Sequence, residues 1–127
     1  ISNGVLVNLP KAPFANTEGV FEYCRLHDIT VQAWSPVAGG RLFNPKDDEP
    51  ENVKAVAKLI AEMAEAKGTT KEAIALGWLL RHPAGIQPIL GTHKAERIAD
   101  SVKAYDVELD RAEWFALMES ARGEPVP

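Results

Sequence analysis

Several things are scarce in this chain, and each scarcity excludes a class of function. There is a single cysteine, Cys24, so no internal disulfide can form. It falls in a helical pattern without the neighbours of a reactive thiol. No block of consecutive basic residues occurs and the formal net charge is −4, which argues against nucleic acid or an anionic membrane surface as the main partner. Any anion site must therefore be local. Neither a signal peptide nor a long apolar segment is seen, which makes a reducing cytoplasm the expected compartment. Internal repeats and low-complexity tracts are also missing. The chain opens at Ile1 rather than at methionine and runs almost at once into Val5, Leu6 and Val7, which reads as a piece of a longer protein.

What is present is one domain's worth of core: 127 residues, 46% of them hydrophobic. The organising stretch is Thr30 to Leu42, TVQAWSPVAGGRL, in which a short apolar strand pattern, Ile29 to Trp34, meets Ser35-Pro36 and then Gly39-Gly40. Such a turn lets backbone N–H groups approach a ligand closely. A second apolar run, Ile86 to Leu90, ends in Gly91 and Thr92-His93-Lys94. Helical patterns lie between. Val5 to Leu9 reads as an earlier strand, and a helix follows from a Thr17 cap with Val20, Tyr23, Cys24 and Leu26 as its apolar face. Asn44 to Pro50, NPKDDEP, reads as an acidic solvated connector rather than a metal site. Val53, Val56, Ala57, Ile60, Met63 and Ala64 recur at helical spacing over 52–67, with Gly68 as the stop. Thr69 with Glu72 forms a capping-box pattern for a helix ending at His82-Pro83, inside which Gly77 marks close packing. A helix over Lys94 to Tyr105 places Ile98, Val102 and Tyr105 against the sheet, and a last one runs from about Asp110 to Ala121. Strands ending in glycine and hydroxyl residues, with helices between them, predict a parallel α/β sheet with its ligand at the carboxyl ends of the strands.

WSPVAGGRLF and PILGTHKAERIADSV, in that order and at this spacing, resemble the aldo-keto reductase family, in particular its bacterial and fungal oxidoreductases. The closing GEPVP resembles the tail of the same branch. The resemblance implies that residues 1–127 are the C-terminal, cofactor-binding part of a TIM (β/α)8 barrel, about three parallel strands with flanking helices. The resemblance also implies NADP(H) as the cofactor. Trp34 then matches the aromatic residue that stacks on the nicotinamide, where a flat face shields one side of the ring. Ser35, Val37, Gly39 and Arg41 match the loop over the pyrophosphate. Gly91, Thr92, His93, Lys94 and Arg97 match the loop that grips the adenosine 2′-phosphate, and Asp100 and Ser101 match positions facing the adenine. A phosphate there would sit near a helix N-terminus.

The family's catalytic Asp, Tyr, Lys and His lie upstream of these motifs, so no catalytic residue is assigned. Tyr23 and Tyr105 fall on predicted helices, and His27, His82 and His93 at helix ends or in the phosphate loop. Asn3-Gly4 stands where the family usually has Asn-Gln. The expectation is therefore the coenzyme-binding portion of an enzyme that reduces small carbonyl substrates, inactive alone. The alternative is an inactive fragment that self-associates through exposed barrel edges, and a helix-turn-helix binder over Thr69 to Arg81 is a third, opposed by the acidic charge.

Overall fold

The computed structural model describes residues 19–125. The strand expected at Val5 to Leu9, the Thr17 cap and Asn3-Gly4 lie outside them. The order is α1 (Val20–Leu26), β1 (Gln32–Ala33), a 3₁₀ turn (Ala38–Gly40), α2 (Glu51–Ala66), α3 (Lys71–Leu80), β2 (Gln87–Pro88), α4 (Ala95–Val102), a second 3₁₀ turn (Lys103–Asp106) and α5 (Arg111–Arg122).

The two strands are parallel neighbours, Gln32 opposite Gln87 and Ala33 opposite Pro88. The Gln87 N–H donates to Val31 O at 2.8 Å and the Ile89 N–H to Ala33 O at 3.0 Å. Alternate residues of β2 therefore bond β1, and Pro88 between them has its missing N–H on the side away from β1, where it takes no bond from this pair. The ladder is shorter than the apolar runs suggested. Side chains alternate cleanly: Ala33 and Ile86 are buried under α3 with Leu79, while Gln32, Trp34, Gln87 and Ile89 share a face that is exposed.

The main core lies among α2, α3 and α5. Val56, Ile60, Met63, Ala64, Ile74, Leu109 and Leu117 form one buried cluster, and the predicted periodicity of α2 holds at every named position. α2 and α5 are antiparallel, because Asn52 Nδ2 donates to Ala121 O at 2.8 Å at one end and Lys67 pairs with Glu113 at 2.8 Å at the other. Between α3 and α5, Trp78 and Trp114 stack with centroids 5.0 Å apart and planes at 10°. Gly77 packs closely as expected, since a Cβ there would meet the Val107 side chain at 3.2 Å. No helix of the described residues is long and apolar enough to cross a membrane.

Four expectations are corrected. The cap of α3 is Thr70, whose hydroxyl accepts from the Ala73 N–H at 3.1 Å. Thr69 is already engaged: its N–H bonds Ala64 O while Gly68 at φ +61° turns the chain, closing α2 from behind. The box motif occurs instead on α5, where Asp110 and Glu113 exchange bonds with each other's backbone at 2.8 Å. In α1 no residue is buried, and Val20, Tyr23 and Leu26 are exposed; Phe21 is the residue that packs, against His82 with centroids 5.1 Å apart. In α4 and its 3₁₀ extension, Ile98, Val102 and Tyr105 are exposed, while Ser101 and Ala104 are buried. Small residues let the backbone come close to α3, and the large apolar face is turned outward.

Candidate functional site

Because β1 and β2 are parallel neighbours, the loops that leave their carboxyl ends emerge on the same side of the sheet. These are the two loops carrying the sequence-predicted residues. Trp34 follows directly on β1, on the open face of the sheet, and is 76% exposed. Its ring is available to stack on a flat ligand.

The chain after Trp34 is held in an unusual backbone shape. Ser35 and Ala38 both have φ +51°, and Gly39 and Gly40 have φ +66° and +87°. Left-handed conformations at non-glycine residues are strained by about 1–3 kcal/mol each and concentrate at functional turns. The Ala38 N–H bonds Ser35 O at 2.9 Å and the Gly40 N–H bonds Val37 O at 2.9 Å, which closes two successive turns. Among the described residues the Ser35 and Val37 N–H groups have no such backbone partner. Nothing among the described residues lies within 4 Å of where a Cβ would stand on Gly39 or Gly40. Arg41 ends the turn and forks onto Glu49, Nε to Oε1 at 2.7 Å with Nη2 on Oε2. The Arg41 hydrogen bond, ahead of its charge and that of Lys46, holds the Glu49 carboxyl below the usual carboxylate range against the opposing effect of burial.

On β2 the loop is simpler. Gly91 is exposed, has no left-handed φ and, among the described residues, has nothing within 4 Å of where a Cβ would stand. Thr92 Oγ1 accepts from the Lys94 N–H at 3.2 Å, and Lys94 stands at the start of α4 with no side chain capping the helix. His93, Lys94 and Arg97 are exposed and, among the described residues, form no ion pair. Two cations beside uncapped helical N–H groups favour an anion. Further along, Asp100 pairs with Lys103 at 2.6 Å, and the Ser101 hydroxyl donates to Arg97 O at 2.8 Å. Ser101 is only 5% exposed. Of the two positions expected to face an adenine, Asp100 is the one whose side chain reaches the surface.

The donor set suits a polyanion with a flat end: backbone amides and an arginine on one loop, two cations on the next that form no ion pair among the described residues, and an exposed indole at the end of β1. A cavity of about 70 Å³ under Trp34 and Pro36, walled by Val56, Ile60 and Leu117, is too small and too apolar for a dinucleotide. The residue that sequence reasoning missed is Glu49, placed in a connector read as solvated; the pairing of an acidic loop residue with Arg41 has no periodic signal. All twelve predicted site residues lie on these two loops or on α4; Ser101 is buried, and the Val37 side chain packs on the α2–α3–α5 core, so Val37 can offer only its backbone.

A family model described as the aldo/keto reductase family matches residues 5–122. The chain is 39% identical over 109 residues to a 6-dehydroglucose reductase of Novosphingobium aromaticivorans, covering 86% of this chain and 35% of that protein. It is 36% identical over 110 residues to a 6-dehydroglucose reductase of Agrobacterium fabrum, with 87% and 35% covered, and 32% identical over 110 residues to the oxidoreductase YdhF of Escherichia coli, with 87% and 36% covered. Among solved structures, the thermostable aldo-keto reductase Tm1743 in complex with the inhibitor epalrestat superposes with a TM-score of 0.66 at 22% identity, covering 87% of this chain and 36% of that one. The chain thus spans about a third of the length of the relatives it matches.

Proposed function

Since the chain belongs to the aldo/keto reductase family of oxidoreductases, we propose that it is the NADP(H)-binding C-terminal portion of such a barrel, whose whole form reduces aldehydes or ketones by hydride transfer. The observation that carries the reading is the juxtaposition of the strained Ser35 to Gly40 turn with Lys94 and Arg97, which form no ion pair among the described residues, on the loops that leave two neighbouring parallel strands. NADPH supplies the hydride. Trp34 stacks against its nicotinamide, the Ser35, Val37 and Gly39 amides with Arg41 face the pyrophosphate, and Thr92, His93, Lys94 and Arg97 receive the 2′-phosphate. The proton donor lies elsewhere in the barrel, so this chain alone does not reduce carbonyls. The compartment proposed for it is the cytoplasm.

Titration of the chain with NADPH and NADH, followed by indole fluorescence, tests this. NADPH should bind more tightly, with quenching that disappears in Trp34→Phe. Arg97→Ala should weaken NADPH by about one to two decades, the worth of a charge-assisted hydrogen bond, and leave NADH nearly unchanged. Equal losses would remove the 2′-phosphate from this loop. A second reading, self-association through uncovered faces, is favoured by the exposure of Trp34, Ile89, Ile98, Val102 and Tyr105. Sedimentation separates it, since a monomer that binds NADPH supports the first reading alone.

A further inference from the structure

The coenzyme loop contains one contact that the proposed function does not use. Arg41 closes the glycine turn and Glu49 stands immediately before Pro50, the residue that precedes α2. The chain between them folds back through short turns, with Phe43 N–H on Gly40 O at 3.0 Å and Glu49 N–H on Lys46 O at 3.2 Å. The fork between the two side chains closes this excursion into a ring. Within it, Leu42 and Phe43 pack on the α2–α3–α5 core, so the ring is fixed to the firmest part of the molecule.

We propose that Glu49 is a positioning residue for Arg41: it fixes the plane of the guanidinium and, through it, the shape of the glycine turn that receives the pyrophosphate. This rests on the reading of Arg41 as a ligand of that group. The other role open to a carboxylate here is that of a competitor, occupying the guanidinium until an anion displaces it. The exposures favour the positioning role. The Glu49 side chain is 11% exposed and that of Arg41 33%, so the carboxylate is the anchored member of the pair and the guanidinium the one that reaches solvent. A fork through Nε and Nη2 also fixes orientation, which a single-point contact would not. The two roles predict opposite signs. Removing a competitor tightens binding, and removing a positioner weakens it.

The experiment compares the chain with its Glu49→Gln and Glu49→Asp variants, using NADPH, NADH and 2′-AMP as probes, with amide exchange measured over residues 37–49. Glu49→Gln should weaken NADPH and NADH alike, by about three- to tenfold, the size of coupling expected between contacting charged groups. Binding of 2′-AMP, which has the 2′-phosphate but no pyrophosphate, should not change. Glu49→Asp, which keeps the charge but shortens the reach, should fall between. Amides of the turn should exchange faster in Glu49→Gln. Tighter dinucleotide binding overturns the proposal in favour of competition. A parallel loss of 2′-AMP binding and thermal stability overturns it in favour of a general structural role. If the unsubstituted chain binds none of the probes, the coenzyme reading fails, and turn exchange unchanged by Glu49→Gln would then refute the positioning role on its own.

Discussion

The stacked indoles of Trp78 and Trp114 offer the sharpest test of what holds the helical core together. Each ring N–H donates to the other residue's backbone carbonyl, Trp78 Nε1 to Trp114 O at 2.9 Å and Trp114 Nε1 to Trp78 O at 3.0 Å. The two bonds look equivalent and are not. Trp114 lies in the first turn of α5, where its carbonyl also accepts from the amide one turn on. Trp78 lies in the last turn of α3, among the four carbonyls that a helix leaves without an internal partner. The next amides go elsewhere, Arg81 N–H to Gly77 O and His82 N–H to Leu79 O, so the Trp114 indole is what satisfies Trp78 O. Trp114→Phe should therefore lose packing volume and also leave a carbonyl unsatisfied, together about 2–4 kcal/mol. Trp78→Phe loses packing and a second bond to a carbonyl already engaged, about 1–2 kcal/mol. Urea unfolding followed by far-ultraviolet circular dichroism gives both values and that of the double variant. Near-ultraviolet dichroism reports the stack directly. The reasoning is refuted if the two single substitutions cost the same, or if the double variant equals their sum, because partners in mutual contact should couple by 0.5 kcal/mol or more.

Three further outcomes are expected. Thr70→Ala should destabilise the chain by about 1 kcal/mol, the usual worth of a helix cap, whereas Thr69→Ala should be nearly neutral; a thermal melt of each variant decides which residue is the cap. Gly77→Ala gains helix propensity of about 1 kcal/mol but presses its Cβ against Val107, so it should destabilise in the native background and stabilise in Val107→Ala, and the same sign in both would remove the steric explanation. His82 is buried, its Nδ1 accepts from the Ala84 N–H at 3.1 Å, and burial ahead of nearby positive charge lowers its pKa below 6.5. The unfolded chain therefore binds the proton more readily, and this contribution to stability is complete above pH 6.5 and is lost as the pH falls from there toward the folded value. Urea midpoints measured down through that window should drop more for the native chain than for His82→Asn, which keeps an acceptor but does not titrate.

What could be read from the sequence was the face on which residues lie, and what could not was the thing that covers each face. The spacing in α2 named six positions that are all buried, because two neighbouring helices of the same chain lie against them. The same spacing in α4 named Ile98, Val102 and Tyr105, which do share one side, yet that side is open and the small side of the helix packs. Periodicity records amphipathic design and is silent about the partner. Local chemistry was readable where it is local: Gly68 as the stop of α2 and Asp110 at the start of α5. It shifted by one residue at Thr70 because the preceding helix had already claimed Thr69. The candidate loops were legible through Gly39-Gly40 and Gly91-Thr92. The left-handed backbone at Ser35 and Ala38 was not, since neither residue type announces it.

The uneven burial has a consequence for the site. The α2–α3–α5 cluster contains the buried large side chains Ile60, Ile74 and Leu117, each worth about 1.5–3 kcal/mol on burial, whereas α1 buries none of its residues and α4 only Ser101. Local opening follows the number of buried apolar contacts, so α1 and α4 are the elements held least firmly by the described residues. The two candidate loops divide along the same line. The glycine turn is fastened to the firm side by Ala38, Leu42 and Phe43 and by the Arg41–Glu49 fork. The loop after β2 leads into α4, whose large apolar face has no cover among the described residues. A partner surface that buried Ile98, Val102 and Tyr105 would steady the start of that helix, and with it Lys94 and Arg97, without touching either cation. Ordering a loop before its ligand arrives lowers the entropic cost of binding. On the reading proposed above, the α4 end of the candidate site, rather than the glycine-turn end, is the part whose affinity would depend on a surface that covers Ile98, Val102 and Tyr105.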